Sequence, residues 1–450
     1  MSTREPRRGS GRTENRTHGG KSTRRAAQDR RAGRAAAPAR TIVSKKQDPG
    51  APCPIMHECG GCAFLGRPYH KQLAQKQAAM EALFRPIFRA RGYDLKLSPI
   101  QGMGGTLGEG KLPSPRAFRY KAATPFAPTA DGGVAGGFFA AGTHTIVPVP
   151  SCCVEAPHAR QILNIVAQKA AELGIPAYDE DAHAGILRYA VLRLSWKRPE
   201  GILTLVTAKK DAPAVEELAR AVARMCPQIT CVAQNVNPRR TNAILGGETR
   251  TLLGDGFMQD ELLGCTFRIS PTAFYQTNPA QTELLYQIAI DGMGLADGDV
   301  LMDAYCGSGT IGLCAVAQAA RAGVAARLVG VERNTAGIAD ARANAQLNNL
   351  GDVSEFFAQD ATAFMREAAR RGERVDVLSM DPPRAGATSE FLDAAAALAP
   401  RRITYISCNP TTQARDLEHL MDAGYRPLTL TPVDMFPHTS HVETVAVLER

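Results

Sequence analysis

The chain reads as an α/β protein, with a C-terminal doubly wound, Rossmann-like domain preceded by an inserted α+β domain and an N-terminal cysteine cluster. Three observations predict this. From about residue 280 short apolar runs alternate with helical stretches, the pattern of repeated βα units in a parallel sheet. From about 97 to 275 strand-like runs are separated by glycine and proline turns, with helical stretches between them. Cys53, Cys59 and Cys62 fall within ten residues of one another. The expected organisation is a basic tail over 1–50, a cysteine knuckle and a helix over 51–96, a central α+β domain over 97–275 and the doubly wound domain over 276–450.

A chain of 450 residues has room for two or three domains. The net charge of +9 is concentrated in the tail. Residues 1–50 hold fourteen Lys and Arg against four Asp and Glu, so the remaining 400 sum to −1. The tail has few large apolar residues and is expected to be disordered, because it buries too little surface to offset ordering. Attraction to a polyanion and simple solubilisation both account for its composition. Glu5, Glu14 and Asp29 argue against a transit peptide. No hydrophobic segment opens the chain and no uncharged apolar run reaches about 18 residues, so neither secretion nor membrane crossing is expected. Eleven cysteines without a secretory signal imply a reducing compartment, where clustered thiols mean metal or catalysis.

The cluster has the order C-x5-C-x2-C, unlike the paired C-x2-C of common zinc ribbons. A fourth ligand is required. Cys152-Cys153, separated from Cys62 by eighty-nine residues, is the evident supply. Four thiolates suit a [4Fe–4S] cluster or zinc. After the knuckle, Tyr69, Leu73, Met80, Leu83, Phe84 and Ile87 recur at helical spacing and predict an amphipathic helix of about five turns. In the central domain, Gly185–Ser195 and Gly201–Ala208 flank a turn at Lys197–Gly201 and read as a hairpin. Helices are expected near Ala156–Leu173 and Ala212–Met225. Arg116, Arg119, Lys121, Arg188 and Arg193 lie on strands or strand starts, where a solvated sheet face is the expected setting and phosphate contact the alternative.

In the C-terminal domain, the strand Gly298–Tyr305 runs into the glycine loop Cys306-Gly-Ser-Gly-Thr-Ile-Gly312. The next strand, Arg327–Val331, ends at Glu332, and Val375–Met380 ends at Asp381-Pro-Pro-Arg384. The run Ile403-Thr-Tyr-Ile406 is stopped by Ser407-Cys-Asn-Pro410, which places Cys408 at a strand end. Ligands of open α/β sheets bind at the carboxyl ends of the strands, so a thiol there is a candidate nucleophile. Glu332, twenty-three residues after Gly309, can accept from ribose hydroxyls. That much suits NAD or S-adenosylmethionine. The loop lacks the full G-x-G-x-x-G phosphate fingerprint, Asp303 suits an ammonium, and Asp360 can accept from an adenine amine. These residues favour S-adenosylmethionine.

With these motifs the sequence resembles the RNA uracil-C5 methyltransferase family, in particular its iron–sulfur branch acting on 23S ribosomal RNA. The resemblance runs from Cys53 to the C-terminus. It rests on the cysteine knuckle, Phe274-Tyr-Gln-Thr-Asn278, Asp303-Ala-Tyr-Cys-Gly-Ser-Gly309, Asp381-Pro-Pro-Arg-Ala-Gly386, Ser407–Pro410 and, most diagnostically, Asp434-Met-Phe-Pro-His-Thr-Ser-His-Val-Glu443. It implies a methyltransferase C-terminal domain and an RNA-binding central domain. It further implies a [4Fe–4S] cluster on Cys53, Cys59, Cys62 and Cys152, with Cys153 as the alternative fourth ligand, and S-adenosylmethionine contacts from Gln276, Tyr305, Thr310, Glu332, Asp360 and Asp381. Many relatives begin with a small β-barrel RNA-binding domain, which the basic, low-complexity first 52 residues cannot make. The expected partner is RNA, 23S ribosomal RNA first and a tRNA T-loop second, with no membrane; the chain is expected to act as a monomer in the cytoplasm.

The implied reaction needs a nucleophile and a base. Uracil C5 becomes nucleophilic when a thiolate adds to C6, one hard step divided into two easier ones. A base must then remove the C5 proton. Cys408 is the expected nucleophile and Glu443 the expected base. His438, Arg384 or the helix N-terminus after Pro410 are the candidates for favouring the thiolate. Arg384 stands where methyltransferases of exocyclic amines commonly carry an aromatic residue, which favours a ring carbon as acceptor. Phe274, Tyr275 and Phe436 are candidates for stacking on a flipped base or for core packing.

Overall fold

The computed structural model describes residues 52–110, 112–210 and 213–450. The expected basic tail lies outside the described residues. The C-terminal domain is built on seven strands, numbered here within that domain: β1 (Val300–Ala304), β2 (Arg327–Glu332), β3 (Ser354–Ala358), β4 (Val377–Met380), β5 (Arg402–Ser407), β6 (Arg426–Val433) and β7 (Glu443–Glu449). Their order across the sheet is 3-2-1-4-5-7-6. The first five are mutually parallel, and β7 runs antiparallel between β5 and β6. The order reverses between β1 and β4, so a crevice opens at the carboxyl ends of those two strands.

The strands form because their apolar side chains are covered on both faces. Ile403, Tyr405 and Ile406 of β5 are fully buried. Helices Pro279–Met293, Thr310–Arg321 and Thr335–Leu347 pack one face, and Ala361–Arg371, Ser389–Leu398 and Pro410–Asp422 the other. The second face also receives the predicted five-turn helix, observed as Tyr69–Ala90, through Tyr69, Leu73, Met80, Phe84 and Phe88. Leu83 and Ile87 of the predicted stripe are only partly buried. The short strand Gln101–Gly102 then adds to the β6 edge in parallel. The helix before the central domain and the first short strand of the 97–275 segment are therefore part of the C-terminal domain's layers.

The central domain carries a seven-stranded sheet in the spatial order 146–148, 134–139, 121–128, 187–194, 201–207, 231–236 and 248–253. All neighbours are antiparallel except 201–207 with 231–236, which are joined through the helix Pro213–Met225. That helix and Ala159–Glu172 cover one face. The solvated-face expectation fails for two arginines. Arg188 is buried, stacks 4.6 Å from the Tyr178 ring and donates to the carbonyls of Asn237 and Arg239, each at 2.7 Å. Arg193 is buried and donates to the Ala273 carbonyl. Each strand position faces packed chain, so backbone carbonyls take one nitrogen of each guanidinium, while Arg188 Nε and Arg193 Nε and Nη1 are buried without a hydrogen-bond partner among the described residues. The hairpin Met258–Leu262/Cys265–Ile269 shares the C-terminal domain's core through Phe267 and Ile269. Asn344 and Asn348 bond its backbone edge, accepting from Arg268 and Thr266 N–H at 2.7 and 2.9 Å.

Candidate active site

At the end of β1 the chain leaves the sheet through Tyr305, held at φ 64°, and turns at Gly309, φ 77°, into the helix Thr310–Arg321. Asp303, just inside the strand, is 1% exposed. Its Oδ2 accepts from Gly312 N–H at 3.0 Å, while Oδ1 is buried and has no hydrogen-bond partner among the described residues. The approach depends on glycine, because a Cβ at Gly312 would lie 2.9 Å from that Oδ2 and 2.5 Å from Leu328. Burial pushes the Asp303 carboxyl up to about 7. Gly312 N–H and the Ser379 hydroxyl on the paired strand are the groups that oppose this rise, and an incompletely paired buried carboxylate is what an ammonium group would satisfy. The residues present thus fit the amino-acid end of S-adenosylmethionine.

The other expected donor contacts surround the same strand ends. Glu332 closes β2, and its Oε1 accepts from Asn334 N–H at 2.7 Å. Asp360 follows β3 and caps the helix Ala361–Arg371, accepting from Ala363 N–H at 3.1 Å. Tyr305 packs 5.4 Å from the Phe391 ring. Its hydroxyl is pushed up to about 12 by burial, with the Asp360 charge adding. Thr310 is buried at the helix start, 3.1 Å from the Tyr286 hydroxyl. Gln276 is buried just before the helix Pro279–Met293. Asp381 follows β4 and is pushed up to about 7, by burial first and then by the Asp303 charge.

Cys408 directly follows β5, as its flanking residues predict. In the β5–β7 ladder Ser407 pairs with Thr444. Cys408 and Glu443 are the residues that follow and precede that last rung, and the Glu443 charge is felt at the Cys408 thiol. Glu443 is 3% exposed and its carboxyl is pushed up to about 8, by burial and then by the Asp381 charge. The half-buried Cys408 thiol is likewise raised, by burial first and then by Glu443 and Asp381; Arg384 is the charge that opposes this. Asp381 thus feels the Asp303 charge, Glu443 that of Asp381, and Cys408 those of Glu443 and Asp381.

His438 does not serve the thiol. It is fully buried, its Nδ1 accepts from Gln72 Nε2 at 3.2 Å and its Nε2 donates to the Pro115 carbonyl at 2.9 Å. Both nitrogens are thus used, and burial holds the ring neutral by lowering its pKa. The loop carrying Arg384 is tied to the nucleophile's own turn, since the Arg384 carbonyl accepts from Asn409 Nδ2 at 2.8 Å. Behind it, fully buried Asp416 accepts from Tyr405 hydroxyl at 2.7 Å and Ala387 N–H at 2.8 Å. Of the three candidate stacking aromatics, Phe274 is 63% exposed, Tyr275 is core, and Phe436 is partly buried 6.2 Å from the His441 ring.

The knuckle thiols Cys53, Cys59, Cys62, Cys152 and Cys153 line one small pocket with Ile55, Leu65 and Val149. Among the described residues no group of three or more His, Cys, Asp or Glu side chains converges closely enough to hold a metal ion. The donor set itself is soft and sulfur-rich, the chemistry that suits an iron–sulfur cluster or zinc. Cys152 and Cys153 both reach the pocket.

Sequence reading missed Asp416, Gln72, Lys76 and Asp434. The helix gave a usable signal for two of them, because Gln72 and Lys76 share the face of Tyr69, Leu73 and Met80 and had to be buried with it.

The sheet order, with acidic residues at its switch point, and the chain's similarity to RNA methyltransferases together define an S-adenosylmethionine-dependent methyltransferase. A family profile described as tRNA (Uracil-5-)-methyltransferase matches residues 257–450. An uncharacterized RNA methyltransferase of Halalkalibacterium halodurans is 36% identical over 399 residues, 89% of this chain and 83% of that protein. One from Listeria monocytogenes is 34% identical over 408 residues, 91% and 85% of the respective chains. Among solved structures, the tRNA (uracil-54, C5)-methyltransferase of Pyrococcus abyssi, in complex with S-adenosyl-L-homocysteine, superposes with a TM-score of 0.65 at 25% identity, covering 84% of this chain and 83% of that one. The chain belongs to the RNA uracil-C5 methyltransferase family. Among the described residues no helix is long and apolar enough to cross a membrane.

Proposed function

We propose that the protein methylates C5 of a uridine in 23S ribosomal RNA, with Cys408 as nucleophile and Glu443 as base. The observation that supports this reading is the last rung of the β5–β7 ladder, Ser407 with Thr444, since the strand-end thiol and the buried carboxylate are the residues next to it on the two strands. Asp303, Glu332 and Asp360 at the ends of β1, β2 and β3, with Gln276, Tyr305, Thr310 and Asp381, would hold the donor. When bound, S-adenosylmethionine supplies an electrophilic methyl group on a sulfonium.

The Cys408 thiolate adds to C6 of the uracil, and the C5=C6 electron pair moves to C5 and O4 as an enolate. C5 then takes the methyl group. Glu443 removes the C5 proton, the C5–H electrons restore the C5=C6 bond, and the C6–S bond breaks with its pair returning to Cys408. Arg384 favours the thiolate through its charge. The exposed Phe274 offers a stacking face for an unpaired base. The knuckle reading is a [4Fe–4S] cluster on Cys53, Cys59, Cys62 and Cys152, which would pin residues 53–62 to the central domain.

The similarity to the Pyrococcus abyssi tRNA enzyme favours a second reading, a uridine in the tRNA T-loop. Mapping 5-methyluridine across ribosomal and transfer RNA, from cells with and without the protein, separates the two. Loss of a 23S site supports the first reading; loss confined to tRNA replaces it. Brown protein absorbing near 400 nm supports the cluster, and colourless protein with stoichiometric zinc refutes it.

A further inference from the structure

We propose that Lys76, Gln72 and Tyr69, on the helix after the cysteine knuckle, are positioning residues that clamp the 434–442 loop and so set the direction of the Glu443 carboxylate. The inference rests on the reading of Glu443 as the base. Glu443 pairs with Val433 at the last rung of the β6–β7 ladder, where it borders this nine-residue loop. Ladder ends open unless the connecting chain is tied down.

The tie is made of buried polar groups. Lys76 Nζ donates to Asp434 Oδ1 at 2.5 Å and to the Phe436 carbonyl at 3.2 Å. Tyr69 hydroxyl donates to Asp434 Oδ2 at 2.8 Å and accepts from Met103 N–H at 2.9 Å. Gln72 Oε1 accepts from His438 N–H at 3.1 Å, while its Nε2 donates to His438 Nδ1. Lys76 and Gln72 are 2% and 0% exposed, on a face whose other members are apolar core. A buried ammonium and a buried amide are costly unless fully paired, and here their partners all lie in the loop that leads to Glu443 or in the chain beside the knuckle. Gln72 Nε2 also reaches the Phe64 carbonyl at 3.2 Å, and Phe64 N–H donates to the His438 carbonyl at 2.8 Å. The clamp thereby joins the end of the knuckle to the loop that precedes the base.

A mispositioned base has a signature that general destabilisation lacks. Methyl transfer to C5 precedes proton removal, so slowing the second step leaves methylated RNA covalently held on Cys408. The test uses the full-length protein, methyl-labelled S-adenosylmethionine and unmodified 23S ribosomal RNA and tRNA transcripts carrying tritium at uridine C5. Gln72→Met and the charge-neutral double variant Lys76→Met/Asp434→Asn should slow tritium release by about 10- to 100-fold, the scale of a positioning loss. Methyl incorporation in the first turnover should hold near wild type, and a methylated protein–RNA adduct should accumulate on ordinary uridine. Tyr69→Phe, which removes one hydroxyl, should shift the same ratio less. Equal loss of both steps, or wild-type behaviour in all three variants, overturns the clamp. Wild-type protein that methylates RNA without releasing C5 tritium overturns instead the reading of the reaction.

Discussion

At the carboxyl ends of β1 and β4 and at the start of β7, Asp303, Asp381 and Glu443 are pushed up to about 7, 7 and 8, by burial first in each case. Beneath the 434–442 loop, Asp434 is as deeply buried but takes Lys76 and Tyr69 as partners. On the far side of the central sheet, Glu155 is buried against Arg160 in the same way. The difference separates scaffold from site. At Asp434 and Glu155 the fold supplies a counter-charge for the buried carboxylate, and at Asp260 it supplies hydroxyl and backbone N–H donors instead. Where it leaves carboxylates buried without a cation or a full set of donors, the cation is expected from a ligand.

The sharpest break of that contrast is Cys408→Ala, which should abolish both 5-methyluridine and the adduct with 5-fluorouracil RNA, read by labelled methyl incorporation and by gel. Glu443→Gln should lower product formation by about 100- to 10,000-fold, the range of a lost general base, while leaving adduct on ordinary RNA. Because Glu443 sits at about 8 and Cys408 is raised, and both act deprotonated, kcat/KM should rise with pH through about 8; a flat profile from pH 6 to 9 contradicts the assignment.

On the scaffold side, Lys76→Met leaves Asp434 buried and unpaired and should cost about 3–5 kcal/mol in chemical denaturation. Adding Asp434→Asn should recover most of it. Asp303→Asn should weaken S-adenosylmethionine binding about 10- to 100-fold by calorimetry, the loss of one charge-assisted hydrogen bond. In the donor-free protein, Asp303, Asp381 and Glu443 have folded values above their ordinary 3.8, 3.8 and 4.5. Their protonated forms therefore favour the folded state. That contribution is complete below about pH 4 and is lost as pH rises through about 7 to 8, so for these groups the melting temperature should fall over that window. The smallest effect belongs to Arg91, partly exposed and paired with Glu418 and Asp422. Arg91→Ala should change stability by less than about 1 kcal/mol.

Much of this was legible from sequence, for local reasons. β5 ends at Ser407 because Asn409-Pro410 cannot extend a strand, and the loop after β1 opens because Gly309 and Gly312 permit it. The βα alternation and the acidic strand ends follow from patterns a few residues long. The helix Tyr69–Ala90 was equally visible, yet its place on the catalytic sheet was not. The arginines on the strand Leu187–Leu194 looked like a solvated face until the chain around Asn237 and Ala273 covered them.

By itself the sequence determined the βα succession, the strand-end thiol, the cysteine spacing and the acidic residues at the strand ends, each set by residues that are neighbours in the chain. Tertiary structure alone decided that Glu443 lies beside the last rung of β5, that His438 is consumed by Gln72 and Pro115, and that Asp303, Asp381 and Glu443 are all pushed up mainly by burial. Register and burial are sums over contacts between segments hundreds of residues apart, and no local pattern carries those sums.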